Sequence, residues 1–286
     1  MLLIALAVLC SVAVSVLLRL APCMGIDAPQ AVTWNYLAAS ALALVLLHPP
    51  LALLHGPQAP WPWWLALGVI LPAIFLVLAA SVRRAGIVRT DIAQRLSLLL
   101  SLIAAFTLFG QRAGGWQIAG LVLGLVAIPC LLARPRADAA PDAVDWRLPL
   151  VVLLGFAMVD VLLKRVAADG TPLAVSLLAT FSIAFVPMLI WQLWRHLRGG
   201  VRLNLRSFAG GLLLGLLNFG NIGFYLAAHR ALPHAPATVF AAMNIGVVLL
   251  GALVGAVAFR ERLGKLNLLA IPLAVLAIAL IGRGMG

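Results

Sequence analysis

The chain has 286 residues, of which 64% are hydrophobic and 10% charged, far below the roughly 25% charged content of ordinary soluble domains, and this excludes a soluble globular protein. A formal charge of +12 would point to nucleic acid in a soluble chain, but here the Arg residues sit at the ends of apolar segments, where cationic side chains meet lipid headgroups and set orientation. Apolar segments of about 20 residues recur at intervals of about 30, as membrane-crossing helices require, whereas outer-membrane strands would alternate over about 10.

The first segment, Leu2 to Leu18, lacks the basic start and small-residue cleavage site of a signal peptide and runs into Arg19, so it reads as a helix that stays in the chain. Further helices are expected near Ala31 to Leu47, Pro62 to Ala80, Ile87 to Phe109 and Trp116 to Ala133. A Pro-rich, uncharged loop precedes the third and ends in Trp61, Trp63 and Trp64, a cluster expected at a membrane interface. Residues 134–147 are the only long polar interruption and read as a linker. Beyond it lie helices near Leu148 to Leu163, Leu173 to Trp194, Ser207 to Ala228, Pro236 to Phe259 and Leu266 to Ile281.

The two sides of the linker share sequence. Ser15, Arg19 and Gly25 align without a gap on Asp160, Lys164 and Gly170, and Phe109 to Arg112 falls on Phe259 to Arg262. The expected fold class is thus an all-α integral membrane protein of ten transmembrane helices in two five-helix repeats, 1–133 and 148–286. An odd number of spans per repeat makes the halves insert upside down relative to each other, the inverted repeat of many secondary transporters. Most basic residues fall on the linker side of such a topology; only Arg112, Lys164, Arg165, Arg230 and Arg283 fall on the other, with Arg95 inside a span. The excess of Lys and Arg on the cytoplasmic side then puts the linker inside and both termini outside.

Ten helices in two halves, each closing with a short Gly/Arg/Glu turn and a final Gly- or Ala-rich helix, resemble the drug/metabolite transporter superfamily, and specifically its EamA-type branch. The turn Phe259, Arg260, Glu261, Arg262, Leu263, Gly264 and the run from Leu269 to Ile278 carry the likeness to that family's end-of-repeat pattern. The first half departs from it with Gln111 where Glu is usual, and with Trp34, Asn35 and Tyr36 where the second helix is expected to hold an Arg. The resemblance implies a central cavity between the halves lined by helices 1, 3, 4, 6, 8 and 9. It also implies both termini in the cytoplasm, against the charge reading.

Ionisable groups inside a span cost about 2.5–3.5 kcal/mol each on insertion scales, so they should face the protein interior. Asp91 and Arg95 share one face of the fourth helix. They read either as an anion-holding Arg with its counter-ion and proton carrier, or as a structural ion pair. Lys164 and Arg19 read as helix-end anchors that reach to the headgroups, while Asp160 is deeper and is the stronger candidate of its pair. Asn218, Asn221 and Tyr225 form one polar stripe on the eighth helix, and Asn244 sits near the middle of the ninth. These read as ligand-binding groups or as interhelical hydrogen bonds, the two readings weighing equally. Gly120 with Gly124, Gly211 with Gly215 and Gly251 with Gly255 permit close helix crossings.

No metal spacing joins Cys10, Cys23 and Cys130, or the five His residues at helix ends and in loops, so no metal or other cofactor is expected. Neither a phosphate-binding loop nor a hydrolase motif occurs, and an enzyme is not expected. The function that emerges is a secondary transporter in the bacterial inner (plasma) membrane. It would move a small polar or amphipathic, amino-acid-like metabolite by alternating access, with protons or another ion as coupling partner and no nucleic acid. A flippase for a lipid-linked anion gripped by Arg95 is the alternative, and an intramembrane enzyme a more distant one.

Overall fold

The computed structural model describes residues 1–21, 23–56, 59–85, 87–110, 112, 114–132, 147–258 and 265–283. The linker before Arg147, the turn from Phe259 to Gly264, Gln111, and the side chains of Arg19, Asp91 and Arg95 lie outside the described residues. Within them the chain forms ten α-helices and one 3-10 turn, with no strand: α1 (Leu2–Leu20), α2 (Ala28–Leu47), the turn Leu51–Leu54, α3 (Trp61–Ala85), α4 (Ile87–Thr107), α5 (Gly115–Leu132), α6 (Arg147–Ala168), α7 (Leu173–Leu197), α8 (Leu205–Ala231), α9 (Pro236–Ala258) and α10 (Lys265–Arg283).

The termini of these helices follow local chemistry that hydropathy does not register. α2 starts three residues before its expected Ala31 because the Asp27 carboxylate accepts from the backbone N–H of Gln30, an N-cap that closes one orphan donor. α6 runs five residues past Leu163 and stops where Gly170 takes φ +82°, the left-handed conformation that ends many helices. Among the described residues, Ala28–Leu47, Trp61–Leu78, Leu173–Leu197, Leu205–Ala231 and Pro236–Ala258 are long and apolar enough to cross a membrane. Leu2–Leu18, Gly115–Ala127 and Leu268–Ile281 are apolar but shorter. The outer surface carries large apolar side chains, such as Val45 on α2, Ile190 on α7 and Leu269 on α10, while Asn35, Thr180 and Asn218 are buried. That inversion suits a lipid solvent and would be an aggregation hazard in water.

Two compact units make up the chain, one comprising Met1–Val8, Val77–Val161 and Leu232–Gly286, the other Leu9–Leu76 and Leu162–Ala231. Each draws helices from both sides of the linker.

In the first unit α5 lies along α10, and α9 packs against α4, α5 and α10. A Cβ added at Gly120 would sit 2.8 Å from the Ala277 carbonyl oxygen, and one at Gly124 would overlap Ile245. The absent side chains therefore set the approach of α5 to both neighbours. Trp116 on α5 takes the Arg283 guanidinium over its ring at 4.9 Å, so α5 and α10 run antiparallel. Ser81 and Thr90 share a hydrogen bond of 2.7 Å that ties the end of α3 to the start of α4.

The second unit is built on α2, which lies along both α8 and α7. Contacts at Ile26 with Gly210, Ala31 with Gly211 and Asn35 with Gly215 make α2 and α8 parallel. Thr33 reaches the Met188 carbonyl and Asp27 pairs with Arg195 at 3.3 Å, which makes α2 and α7 antiparallel. One end is tied by a polar knot. The buried Gln30 amide donates to Arg202 O at 2.9 Å and accepts from Asn204 N, while Asn204 caps α8 through Ser207 N and the Ser207 hydroxyl accepts from Asp27 N.

A methyl group at Gly215 would lie 2.5 Å from the Asn35 carbonyl oxygen, and backbone cannot yield as a side-chain tip can. Gly215→Ala should therefore force α2 and α8 apart at a cost of about 1–3 kcal/mol. The check is a melting curve in detergent, in which Gly251→Ala, whose Cβ would meet nothing within 4 Å, should leave the midpoint nearly unchanged. The two glycine pairs on α5 and α8 thus form close crossings, whereas Gly251 on α9 does not.

Candidate functional site

Polar groups are buried among the apolar side chains of the second unit, and α8 supplies a stripe of them. Asn218, Asn221, Tyr225 and His229 follow at spacings of three, four and four, placing them on the face that buries Gly211 and Gly215. At 1.5 Å per residue this stripe extends about 16 Å, more than half of a hydrocarbon layer about 30 Å thick. α7 passes the same face in the opposite direction. Phe181 meets Phe219 at 6.4 Å between ring centroids, Leu177 lies against Gly223, and Thr171 O accepts from Arg230. Ser176 and Thr180 on α7 are thereby level with the stretch of α8 between Phe219 and Tyr225. α3 joins them at Gly68, which packs on Ile183 and the Thr180 carbonyl, with Trp64 one turn before it.

The hydrogen-bond state of these groups is the informative feature. Both polar atoms of the Asn35 amide, the Tyr36 hydroxyl, the Trp64 indole N–H, the Ser176 and Thr180 hydroxyls, Asn218 Nδ2 and Asn221 Oδ1 are buried with no hydrogen-bond partner among the described residues. Hydroxyls in helices ordinarily donate to the carbonyl one turn back, as Thr33 does to Pro29 O and Ser40 to Tyr36 O on α2. Ser176 and Thr180 do not. Each unmet buried polar group costs about 1–3 kcal/mol, so eight such atoms on seven residues of one unit are expensive unless something polar is bound among them.

Charged groups stand at the far end of the stripe. Lys164, just before the last turn of α6, is 3% exposed, and His229 is 0% exposed. The His229 ring lies edge-on to Tyr225 at 4.8 Å and interacts electrostatically with Lys164. The expectation that Lys164 is an anchor reaching to the headgroups is therefore corrected. The helix continues to Ala168, which leaves Lys164 a full turn before its end and buried in the protein. The interface reading of the Trp cluster is corrected in part: Trp61 and Trp63 are exposed, but Trp64 is wholly buried, because residues within one helical turn cannot all face the same way.

The predicted site residues divide between the units. Asn218, Asn221 and Tyr225 come together in the second. Asp160 and Asn244 belong to the first, where Asp160 Oδ2 accepts from the Ser101 hydroxyl at 2.7 Å and Asn244 Nδ2 donates to Phe240 O on its own helix. Asp91 and Arg95 lie outside the described residues. Among the described residues no group of His, Cys, Asp or Glu is arranged to hold a metal ion.

Ten helices with an apolar exterior and polar groups held inside define a multi-pass helical membrane protein. The chain belongs to the EamA-like transporter family, whose model matches residues 1–133, and it is thereby a membrane transporter of the drug/metabolite type. An uncharacterized protein of Haemophilus influenzae is 40% identical over 278 residues, an alignment that spans 95% of this chain and 94% of that one. A protein of known crystal structure shares the fold with a TM-score of 0.70 over 98% of this chain and 94% of its own, at 18% identity.

Proposed function

We propose that the protein is a secondary transporter of the bacterial inner membrane that moves a small polar or amphipathic, amino-acid-like metabolite by alternating access. The observation that carries this reading is the set of buried, unmet donors and acceptors on α2, α3, α7 and α8 of the second unit. A sparse set of directed polar groups in aromatic surroundings, here Tyr36, Trp64, Phe181 and Phe219, is the usual lining of a small-molecule site. The alternative of a flippase rests on Arg95, outside the described residues, and no described feature favours it.

Alternating access requires two related halves. The reading takes residues 1–133 and 148–286 as inverted five-helix repeats joined by a cytoplasmic linker. Its support is that the family match ends at residue 133 and that α2 packs on α7, α4 on α9 and α5 on α10. Each of these pairs joins helices in equivalent positions of the two halves, and α2 with α7 and α5 with α10 are antiparallel, as inversion demands. Asp160, half-buried in α6, is the group assigned to carry the coupling proton, because a carboxylate within a span is costly and marks a relay or pathway.

The test is a thermal-shift screen of the purified protein in detergent against amino acids, amines, sugars and nucleosides. A bound solute raises the melting midpoint by mass action, with about 2.7 kcal/mol of stabilisation at a hundredfold excess over Kd. A saturable shift with one solute class, and uptake of that class into proteoliposomes, is the expected result. Flat curves across all classes would sink the reading.

A further inference from the structure

We infer that the buried polar atoms at the middle of the second unit form a subsite for an uncharged solute bearing an amide edge, a carbonyl and an N–H side by side, met by Asn35, Thr180, Asn218 and Asn221. The inference rests on the transporter reading above and narrows its amino-acid-like solute to one whose polar end is a neutral amide.

Packing sets the level of each group along α8. A Cβ at Gly215 would meet the Asn35 carbonyl, so Asn35 is level with that glycine. Asn218 follows one turn on, and its side chain leans back toward the helix N-terminus and so toward the level of Asn35. Phe181 meeting Phe219 and Leu177 meeting Gly223 place Thr180 level with Gly220, next to Asn221, and Ser176 level with Phe224. α2 runs against α7, so the turn Leu51–Leu54 that follows it packs near the start of α7. α3 begins beside that turn, where Trp61 donates to Leu54 O, which puts Trp64 on the Ser176 side of Gly68. From the level of Asn35 to that of Ser176 is about 14 Å at 1.5 Å per residue, the length of a small solute.

The four helices that carry these groups hold no ionisable acid or base across their spans: residues 28–47, 61–82, 173–194 and 207–228 contain no Asp, Glu, Lys, Arg or His. What they offer is neutral and of both kinds. Among the described residues, Asn35 Nδ2, Asn218 Nδ2 and Trp64 Nε1 are buried N–H donors without an acceptor, Asn35 Oδ1 and Asn221 Oδ1 are buried acceptors without a donor, and the Ser176 and Thr180 hydroxyls can serve either way. A carboxylate only accepts, so it would leave both amide oxygens unmet. An ammonium only donates, and would leave the three N–H groups unmet. A zwitterion has both kinds of group, but each of its charges would exchange water for neutral partners, which is costly in a buried site. A neutral amide meets both kinds with no charge to desolvate, and Asn35, with both of its polar atoms unmet, can pair with it through two hydrogen bonds at once.

The experiment is a thermal shift in detergent, at constant ionic strength, with solutes matched in shape and differing in charge and hydrogen bonding. One series is benzamide, N,N-dimethylbenzamide, benzoate, benzylamine and phenylalanine; the other is butyramide, N,N-dimethylbutyramide, butyrate and butylamine. The expected result is a saturable rise in midpoint with at least one primary amide. Its dimethyl counterpart, which keeps the carbonyl and loses the N–H, and its charged counterparts should bind at least about tenfold more weakly, the loss of one or more buried hydrogen bonds. Asn35→Leu should weaken the amide response by at least about the same factor, while Ser40→Ala, one turn along the same helix, leaves it unchanged. A full amide response in Asn35→Leu would overturn the assignment. So would equal responses from an amide and its dimethyl or charged counterpart, or a rise with charged solutes or sugars and none with either amide, and the transporter reading would then stand without the subsite. Should Asn35→Leu not fold, the matched series in the unaltered protein still decides the matter. If no solute of any class moves the midpoint, the transporter reading falls and the subsite with it.

Discussion

Thr180→Val and Asn218→Leu are each expected to melt higher than the unaltered protein in detergent without solute, and to lose solute-induced stabilisation and uptake. The Thr180 hydroxyl and the Asn218 amide N–H are buried without partners among the described residues, so removing them should relieve about 1–3 kcal/mol each. Apolar replacements of similar size fill the space that the polar groups leave. Function falls because the same atoms are those offered to the solute, and a site built to hydrogen-bond its ligand loses orders of magnitude in discrimination without those bonds. Binding sites commonly trade stability against activity in this direction. A structural role would give the opposite pattern: the variants would melt lower and transport normally. Ser40→Ala is the control. Its hydroxyl donates to Tyr36 O at 2.8 Å, so its loss should change stability only slightly and leave uptake intact.

The α8 stripe was legible in the sequence because three polar residues at helical spacing stand out on an apolar helix, and the glycine pairs on α5 and α8 were legible for the same reason. Other parts of the site were not, for physical reasons that differ. Ser176 and Thr180 are unremarkable in composition, since a membrane helix absorbs Ser and Thr by bonding them to its own carbonyls; only coordinates reveal that these two do not do so. Asn35 and Tyr36 were visible as a departure from the family pattern, but nothing in the spacing of α2 says that both turn inward. Lys164 and His229 were misplaced by an error of a few residues in helix length. With α6 ending at Leu163 and α8 at Ala228, both would be terminal and near headgroups, whereas the helices continue to Ala168 and Ala231 and carry both side chains into the protein. Hydropathy windows cannot find such ends, because the stop signal is the positive φ of Gly170.

Asp160→Asn is expected to retain solute exchange across a proteoliposome membrane and to lose accumulation driven by a pH gradient. The carboxylate accepts a 2.7 Å hydrogen bond from Ser101, and an Asn side-chain oxygen can accept the same bond in nearly the same place. The substitution therefore keeps the side-chain size and the Ser101 hydrogen bond, and removes the negative charge together with the ability to take up and release a proton. In the membrane this ability carries a large free energy. The charged form costs at least about 2.5–3.5 kcal/mol on insertion scales, so whether the group is protonated biases which conformations are accessible. A transporter in which protonation and solute binding are linked at separate groups should become an uncoupled exchanger when the acid is made permanently neutral. Labelled-solute counterflow would then continue at a rate close to that of the unaltered protein, while the steady-state gradient falls to equilibrium. If Asp160→Asn still accumulates solute against its gradient, the coupling ion is not a proton bound at this carboxylate. If instead counterflow also stops, Asp160 serves the translocation of the solute itself and the assignment of a separate coupling site is wrong.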